Sequence, residues 1–174
     1  MLEGKTVNLR VVEKEDLLFW KEWENDIDFM GEYQSLKQRT LKDLEKQYDE
    51  RAEEQWFFIE KKDGTRIGTI RHRPVSTSQQ ISYGLLASER GKGYCSEAVK
   101  IIVDYLFLSK NIIRVQAHVD ARNMASQRVL EKTGFKKEGT FRKEYFVRGE
   151  WSDWSLYSIL REEWKEPRIL TRTM

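Results

Sequence analysis

The run from Tyr83 to Ala98 constrains this chain more than any other stretch. It begins apolar and extended at Tyr83-Gly84-Leu85-Leu86-Ala87, turns through Ser88-Glu89-Arg90-Gly91-Lys92-Gly93, and enters a segment with helical apolar spacing at Val99, Ile102, Val103, Leu106 and Phe107. A strand, a short turn and a helix N-terminus follow one another without spare residues. The first turn of a helix presents unpaired N–H groups and about half a positive charge, so a turn that admits an anion there becomes a phosphate site. Gly91 and Gly93 remove side chains that would block the approach, and Arg90 and Lys92 add formal charge. The glycine spacing matches neither a Walker loop nor the dinucleotide fingerprint of three spaced glycines, and a basic surface turn is the plain alternative.

The rest of the chain sets outer bounds. A length of 174 residues suits one ordinary domain, which buries roughly 70% of the surface of its unfolded chain. A net charge of +2 argues against nucleic acid as a main partner, since no bulk field results. One cysteine excludes an internal disulfide framework and fits a reducing compartment. There is no apolar run of about 18 residues and no signal-peptide pattern behind Met1, so a soluble, cytoplasmic protein without membrane partners is expected. No metal-ligand cluster is expected either.

In order, residues 6–12 read as a strand and residues 14–25 as an amphipathic helix carrying Leu17, Leu18, Trp20 and Trp23. Residues 26–39 lose the pattern and read as an irregular, aromatic-containing loop that lines a pocket or tucks onto the core. Thr40 caps a helix over 41–53. Residues 55–61 and 65–71 form a hairpin around Lys62-Asp63-Gly64, and Pro74 with Ser76-Thr77-Ser78 ends its second strand. Strands follow at 80–86 and 112–119. A short helix over 125–132 ends at Gly134, and at least two more strands lie within 141–147 and 151–160, reversing at Arg148-Gly149-Glu150. The order β-α-α-β-β-β-α-β-α-β-β mixes crossovers with hairpins, so an α/β (α+β) mixed sheet flanked by helices is expected. Residues 1–164 would form the domain and 165–174 a charged tail.

Two blocks together resemble a known family. Arg90-Gly91-Lys92-Gly93-Tyr94-Cys95 resembles the acyl-CoA loop of the GNAT acetyltransferases. Asn123-Met124-Ala125-Ser126, running on to Gly134-Phe135, is similar to the Asn-x-x-Ser helix and Gly-Phe ending of their RimJ/RimL branch. The resemblance spans about residues 2–164. It implies an acetyl-CoA-dependent N-acetyltransferase whose sheet splays between the strands holding Leu85 and Val119. The pantetheine arm would pair along Leu85, Leu86 and Ala87. The pyrophosphate would sit on the N–H groups of Gly91, Lys92, Gly93, Tyr94, Cys95 and Ser96, and Asn123 would contact the cofactor or cap its helix, or both.

Acyl transfer needs a neutral amine, help for the developing oxyanion and a proton for the departing thiolate. Where many family members carry a tyrosine as acid, this chain has Leu130, so Ser126 becomes the candidate, against a plain capping role. The branch's base position falls on Tyr145 or, one step off, Glu144. A single register step decides between them. His72 and His118 could relay a proton, although structural roles are the default. Glu32 and Tyr33 could bind an incoming amine. Cys95 could form an acyl intermediate or simply be a small residue beside the phosphates.

The acceptor implied is a primary amine, either a protein N-terminal α-amine or a small molecule. Carboxylates lining a pocket from Asp26 to Glu32 would favour polycations, and an open groove would favour peptide termini. A catalytically silent acyl-CoA-binding module is the competing reading, motivated by Leu130. Nucleic-acid binding through Arg161, Lys165, Arg168 and Arg172 is opposed by the interleaved acids. A homodimer is left open.

Overall fold

Residues 55–61, Gln-Trp-Phe-Phe-Ile-Glu-Lys, are apolar on both parities because the strand they form is covered on both faces. The computed structural model describes residues 1–165. Within them the chain runs β1 (Leu2–Glu3), β2 (Val7–Val11), a 3-10 turn (Lys14–Asp16), α1 (Leu17–Asn25), α2 (Ile27–Met30), α3 (Leu41–Glu50), β3 (Gln55–Lys61), β4 (Arg66–Val75), β5 (Ser78–Leu85), a second 3-10 turn (Ala87–Glu89), α4 (Tyr94–Ser109), β6 (Arg114–Asp120), α5 (Met124–Lys132), β7 (Lys136–Val147) and β8 (Glu150–Leu160).

The strands form one eight-stranded sheet in the order β1-β2-β3-β4-β5-β6-β8-β7. Every neighbouring pair is antiparallel except β5 with β6. Helices cover both faces. On one, Phe57, Ile59 and Ile70 meet Val99, Ile102 and Leu106 of α4 and Leu130 of α5. On the other, Trp56 and Phe58 meet Leu17 and Trp20 of α1 and Leu44 of α3. Trp20 stacks on Trp56 at 5.1 Å between ring centroids. The mixed, helix-flanked sheet expected from the sequence is the one observed.

Several boundaries differ, each for a physical reason. Residues 26–39 are not wholly irregular: Asp26 accepts from the N–H groups of Asp28 and Phe29 and starts the one-turn α2. The strand expected to stop before Pro74 continues to Val75, and β5 begins at Ser78 rather than residue 80. Pro74 is tolerated because the last rung to β3 is Gln55↔His72, so its missing donor lies beyond that neighbour. The helix predicted over 41–53 is capped by Thr40 as expected but ends at Glu50. Strand β7 starts at Lys136, earlier than predicted. Trp164 packs on Phe107 and donates to Asp104 at 2.7 Å. Most of the expected tail, including Arg168 and Arg172, lies outside the described residues.

Candidate active site

Strands β5 and β6 share rungs only from Ser78↔Arg114 to Gln80↔Gln116. Beyond these, residues 81–85 and 117–120 are unpaired with one another, and the sheet splays. A cleft of about 750 Å³ opens there. Its wall is built by residues 29–34, the end of β5, the turn before α4, and α5 with the residues leading into it.

The β5 edge of the gap follows from alternation. Leu86 N–H donates to the Ile67 carbonyl at 2.9 Å, so Leu86 and, two residues back, Gly84 turn their polar groups to β4. Tyr83 and Leu85 therefore turn theirs into the gap. There the Leu85 carbonyl accepts from Arg90 Nε at 3.2 Å. Leu86 and Ala87 are less available than the sequence implies, because their carbonyls accept the turn's own bonds from Glu89 and Arg90.

At the mouth, Gly91 and Gly93 have φ of +77° and +86°, left-handed conformations that favour glycine. A Cβ on either would meet no protein atom within 4 Å. Backbone geometry and open space toward the cleft, not protein packing, call for glycine. Gly93 is the N-cap of α4 and no side chain caps that helix, so its first N–H groups face outward unclaimed by a side chain. Arg90, Arg128 and Lys132 line the same cleft. This arrangement can hold a diphosphate: a left-handed glycine cradle, a helix N-terminus and convergent cations.

Of the residues expected to hold the cofactor, Leu85, Arg90, Gly91, Gly93, Cys95, Ser96 and Asn123 line the cleft. Lys92 instead pairs with Glu89 at 3.1 Å. Tyr94 packs on the core beneath Lys61, whose Nζ lies 5.8 Å from the ring. Asn123 Oδ1 accepts from Ser126 N–H at 3.0 Å, capping α5. Its amide nitrogen is a second polar atom on the same wall. Burial pushes the Cys95 thiol up to about 12, so it stays protonated and is a poor nucleophile.

Ser126 lies on the wall, while Glu144 and Tyr145 do not. Strand β7 bulges there: four steps from Phe141 to Tyr145 face two steps from Trp154 to Ser152. Lys143 takes φ of +51° and donates its N–H to Asp153 at 2.9 Å. The bulge turns Tyr145 edge-on to Trp154, at 4.8 Å, and sets Glu144 3.7 Å from Nδ1 of His118. His118 also stacks on Phe141, and its Nδ1 and Glu144 Oε2 are buried without hydrogen-bond partners. His72 is fully buried between Gln79 and Gln55, a structural placement. Glu32 and Tyr33 both line the cleft, and Arg122, paired with Asp120 at 2.8 Å, stands over the Tyr33 ring.

Sequence reasoning missed Tyr83 as a site residue. Its hydroxyl lies 2.9 Å from Ser126 Oγ. Burial, with Cys95 adding to it, pushes the phenol far above the ordinary tyrosine range, against the opposing hydrogen bond to Ser126. The local signal was its parity: two residues before Leu85, it shares the face of the strand that meets the helices.

The chain matches the Acetyltransferase (GNAT) domain family over residues 6–136. It belongs to the GNAT N-acetyltransferases. As a member it is an acetyltransferase that uses acetyl-CoA. A probable N-acetyltransferase, YjcK, of Bacillus subtilis (strain 168) is 34% identical over 181 residues, covering 94% of this chain and 98% of that protein. The crystal structure of spermidine N-acetyltransferase from Vibrio cholerae in complex with CoA and spermine matches this GNAT fold with a TM-score of 0.82 at 23% identity, covering 91% and 97%. Ribosomal-protein-S5-alanine acetyltransferase from Vibrio fischeri matches at 0.81 and 23%, covering 94% and 98%. At these identities both structures show the shared fold. Among the described residues no helix is long and apolar enough to cross a membrane, and no cluster of metal-ligating side chains occurs.

Proposed function

We propose that this GNAT enzyme acetylates a primary monoamine, neutral when it attacks, with a protein N-terminal α-amine before other small amines. The supporting observation is the charge of the cleft wall. Arg90, Arg122, Arg128 and Lys132 line it with a single carboxylate, Glu32, among the described residues. Asp26, which would have added a second, is turned to the backbone of α2. One carboxylate matches one ammonium, and among the described residues no second carboxylate lines the cleft to take the further charges of a polyamine. The Asn123–Ser126 block and the Gly134-Phe135 ending support placement in the RimJ/RimL-like branch. The spermine in the Vibrio cholerae complex supports a polyamine acceptor instead.

In this reading the N–H groups at the start of α4 and the Arg90 guanidinium hold the CoA diphosphate, and the gap-facing N–H of Leu85 pairs with the pantetheine arm. Glu32 orients the acceptor amine. Ser126 Oγ–H faces the departing sulfur. Acetyl-CoA supplies the activated acyl group.

Thiol release is to be measured across peptide N-termini, monoamines, polyamines and aminoglycosides. Peptide N-termini are expected to turn over best, with Glu32→Gln raising the acceptor KM about tenfold, the worth of one charge-assisted contact. Polyamine turnover tenfold above that of any peptide would overturn the assignment. Tight acetyl-CoA binding without turnover on any amine would favour a silent binding module.

A further inference from the structure

A serine hydroxyl inside a helix can bond back to the carbonyl three or four residues earlier. Ser126 has another partner. Its N–H is claimed by Asn123 Oδ1 at 3.0 Å, and its carbonyl, in the second residue beyond the start of α5, is the regular acceptor for Leu130 four residues on. Its Oγ lies 2.9 Å from the Tyr83 hydroxyl, while the Ser126 carbonyl is 3.4 Å from that hydroxyl and already engaged within the helix. Either hydroxyl can be the donor across the shorter contact, and the phenol also lies within donating reach of the Ser126 carbonyl, the longer of the two.

We propose that Tyr83 is a positioning residue: its O–H donates to Ser126 Oγ, so the serine's own hydrogen is turned into the cleft toward the sulfur of the bound thioester. This rests on the reading of Ser126 as the group that faces that sulfur. In the net transfer the amine nitrogen bonds the acetyl carbon, and the carbon–sulfur bond breaks with its electron pair on sulfur. The proton lost by nitrogen ends on that sulfur. Tyr83 keeps its proton throughout. A hydroxyl rotor with one acceptor site filled has fewer competing orientations, so Ser126 meets the developing thiolate without first having to turn.

The geometry carries three further points. Tyr83 and Ser126 both line the cleft but come from elements 43 residues apart, β5 and α5, on the two sides of the splay. The pair therefore forms only where the sheet opens. Burial holds the phenol neutral, so it is a constant donor rather than a titrating acid. Leu130, at the position where the family resemblance implies a tyrosine, is fully buried in the core and presents no polar atom.

The test is a double-mutant cycle of Tyr83→Phe and Ser126→Ala in the full chain, read by kcat, acetyl-CoA Kd by calorimetry, and unfolding temperature. A tyrosine Cζ carbon resonance in the ligand-free protein reports the bond itself. Tyr83→Phe is expected to lower kcat about tenfold while Kd stays within about twofold, and Ser126→Ala to lower kcat about a hundredfold. The double variant should be no slower than Ser126→Ala, because removal of the serine leaves the phenol nothing to position. The Tyr83 Cζ resonance should move in Ser126→Ala without any ligand present. An equal further loss from Tyr83→Phe in the Ser126→Ala background, or a loss seen in Kd and unfolding temperature instead of kcat, overturns the positioning role. If Ser126→Ala falls and Tyr83→Phe does not, only the Tyr83 inference fails. Should Ser126→Ala turn over as the wild type does, the reading of Ser126 fails and takes the inference with it.

Discussion

Arg90 Nε donates to the carbonyl of Leu85 at 3.2 Å, tying the cation of the turn to the strand edge that faces the splay. Arg90→Gln is expected to weaken acetyl-CoA binding about tenfold, the worth of one charge-assisted contact. The difference should shrink at high salt. Gly93→Glu, which puts a carboxylate on a residue of φ +86° beside the first N–H groups of α4, should weaken it by more than about a hundredfold. Calorimetry with acetyl-CoA measures both. Unchanged affinity in the two variants would remove the diphosphate from this turn.

Gly68 on β4 backs the same edge. A Cβ there would lie 2.3 Å from the Gly84 carbonyl oxygen and 3.2 Å from Leu85 Cα, both backbone atoms that cannot swing aside. Gly68→Ala is expected to cost about 3 kcal/mol through overpacking. For a chain of this size that lowers the unfolding temperature by about 10 °C. Differential scanning calorimetry decides it, and a shift under about 2 °C would show that the strands move apart freely.

His72 is fully buried, with Nδ1 2.8 Å from Gln79 Oε1 and Nε2 3.2 Å from Gln55 Oε1. Burial holds its pKa below the ordinary value of 6.5. As the pH drops through about 6.5 the unfolded chain takes up a proton that the folded imidazole refuses. Stability contributed by this site therefore falls as the pH drops below about 6.5 and levels off once the folded ring titrates. Denaturant midpoints between pH 7.5 and 5 should show this slope in the wild type and a flatter one in His72→Gln.

Cys95, its thiol pushed up to about 12, should react with iodoacetamide at pH 8 at least about a hundredfold slower than free cysteine. Cys95→Ala should keep kcat within about twofold. Loss of turnover in that variant would instead favour an acyl-cysteine route.

The glycine turn, the flanking strand and the helix were legible in the residues because each is decided within a few positions. Glycines at positive φ, helical apolar spacing at Val99 to Phe107 and the Thr40 cap are local chemistry. Helix α2 was hidden, since one turn carries no periodicity, and only the Asp26 cap marks it. The extension of β4 through Pro74 was hidden because a proline is tolerated or not according to where the neighbouring strand stops. The base position was open for a similar reason. The bulge between Phe141 and Tyr145 changes the facing of Glu144 and Tyr145, and its Lys143 at positive φ carries no glycine to announce it.

The sequence alone determined most of the strands and helices, the place where two glycines and two cations precede a helix N-terminus, and the family to which the blocks at Arg90 and Asn123 belong. Tertiary structure decided which side chains share the cleft. Tyr83 meets Ser126, Glu32 stands in the wall, and Glu144 turns to His118. The reason is physical. Turn chemistry and periodicity act over one or two helical turns, whereas the splay between β5 and β6 is set by packing of both sheet faces across the whole chain.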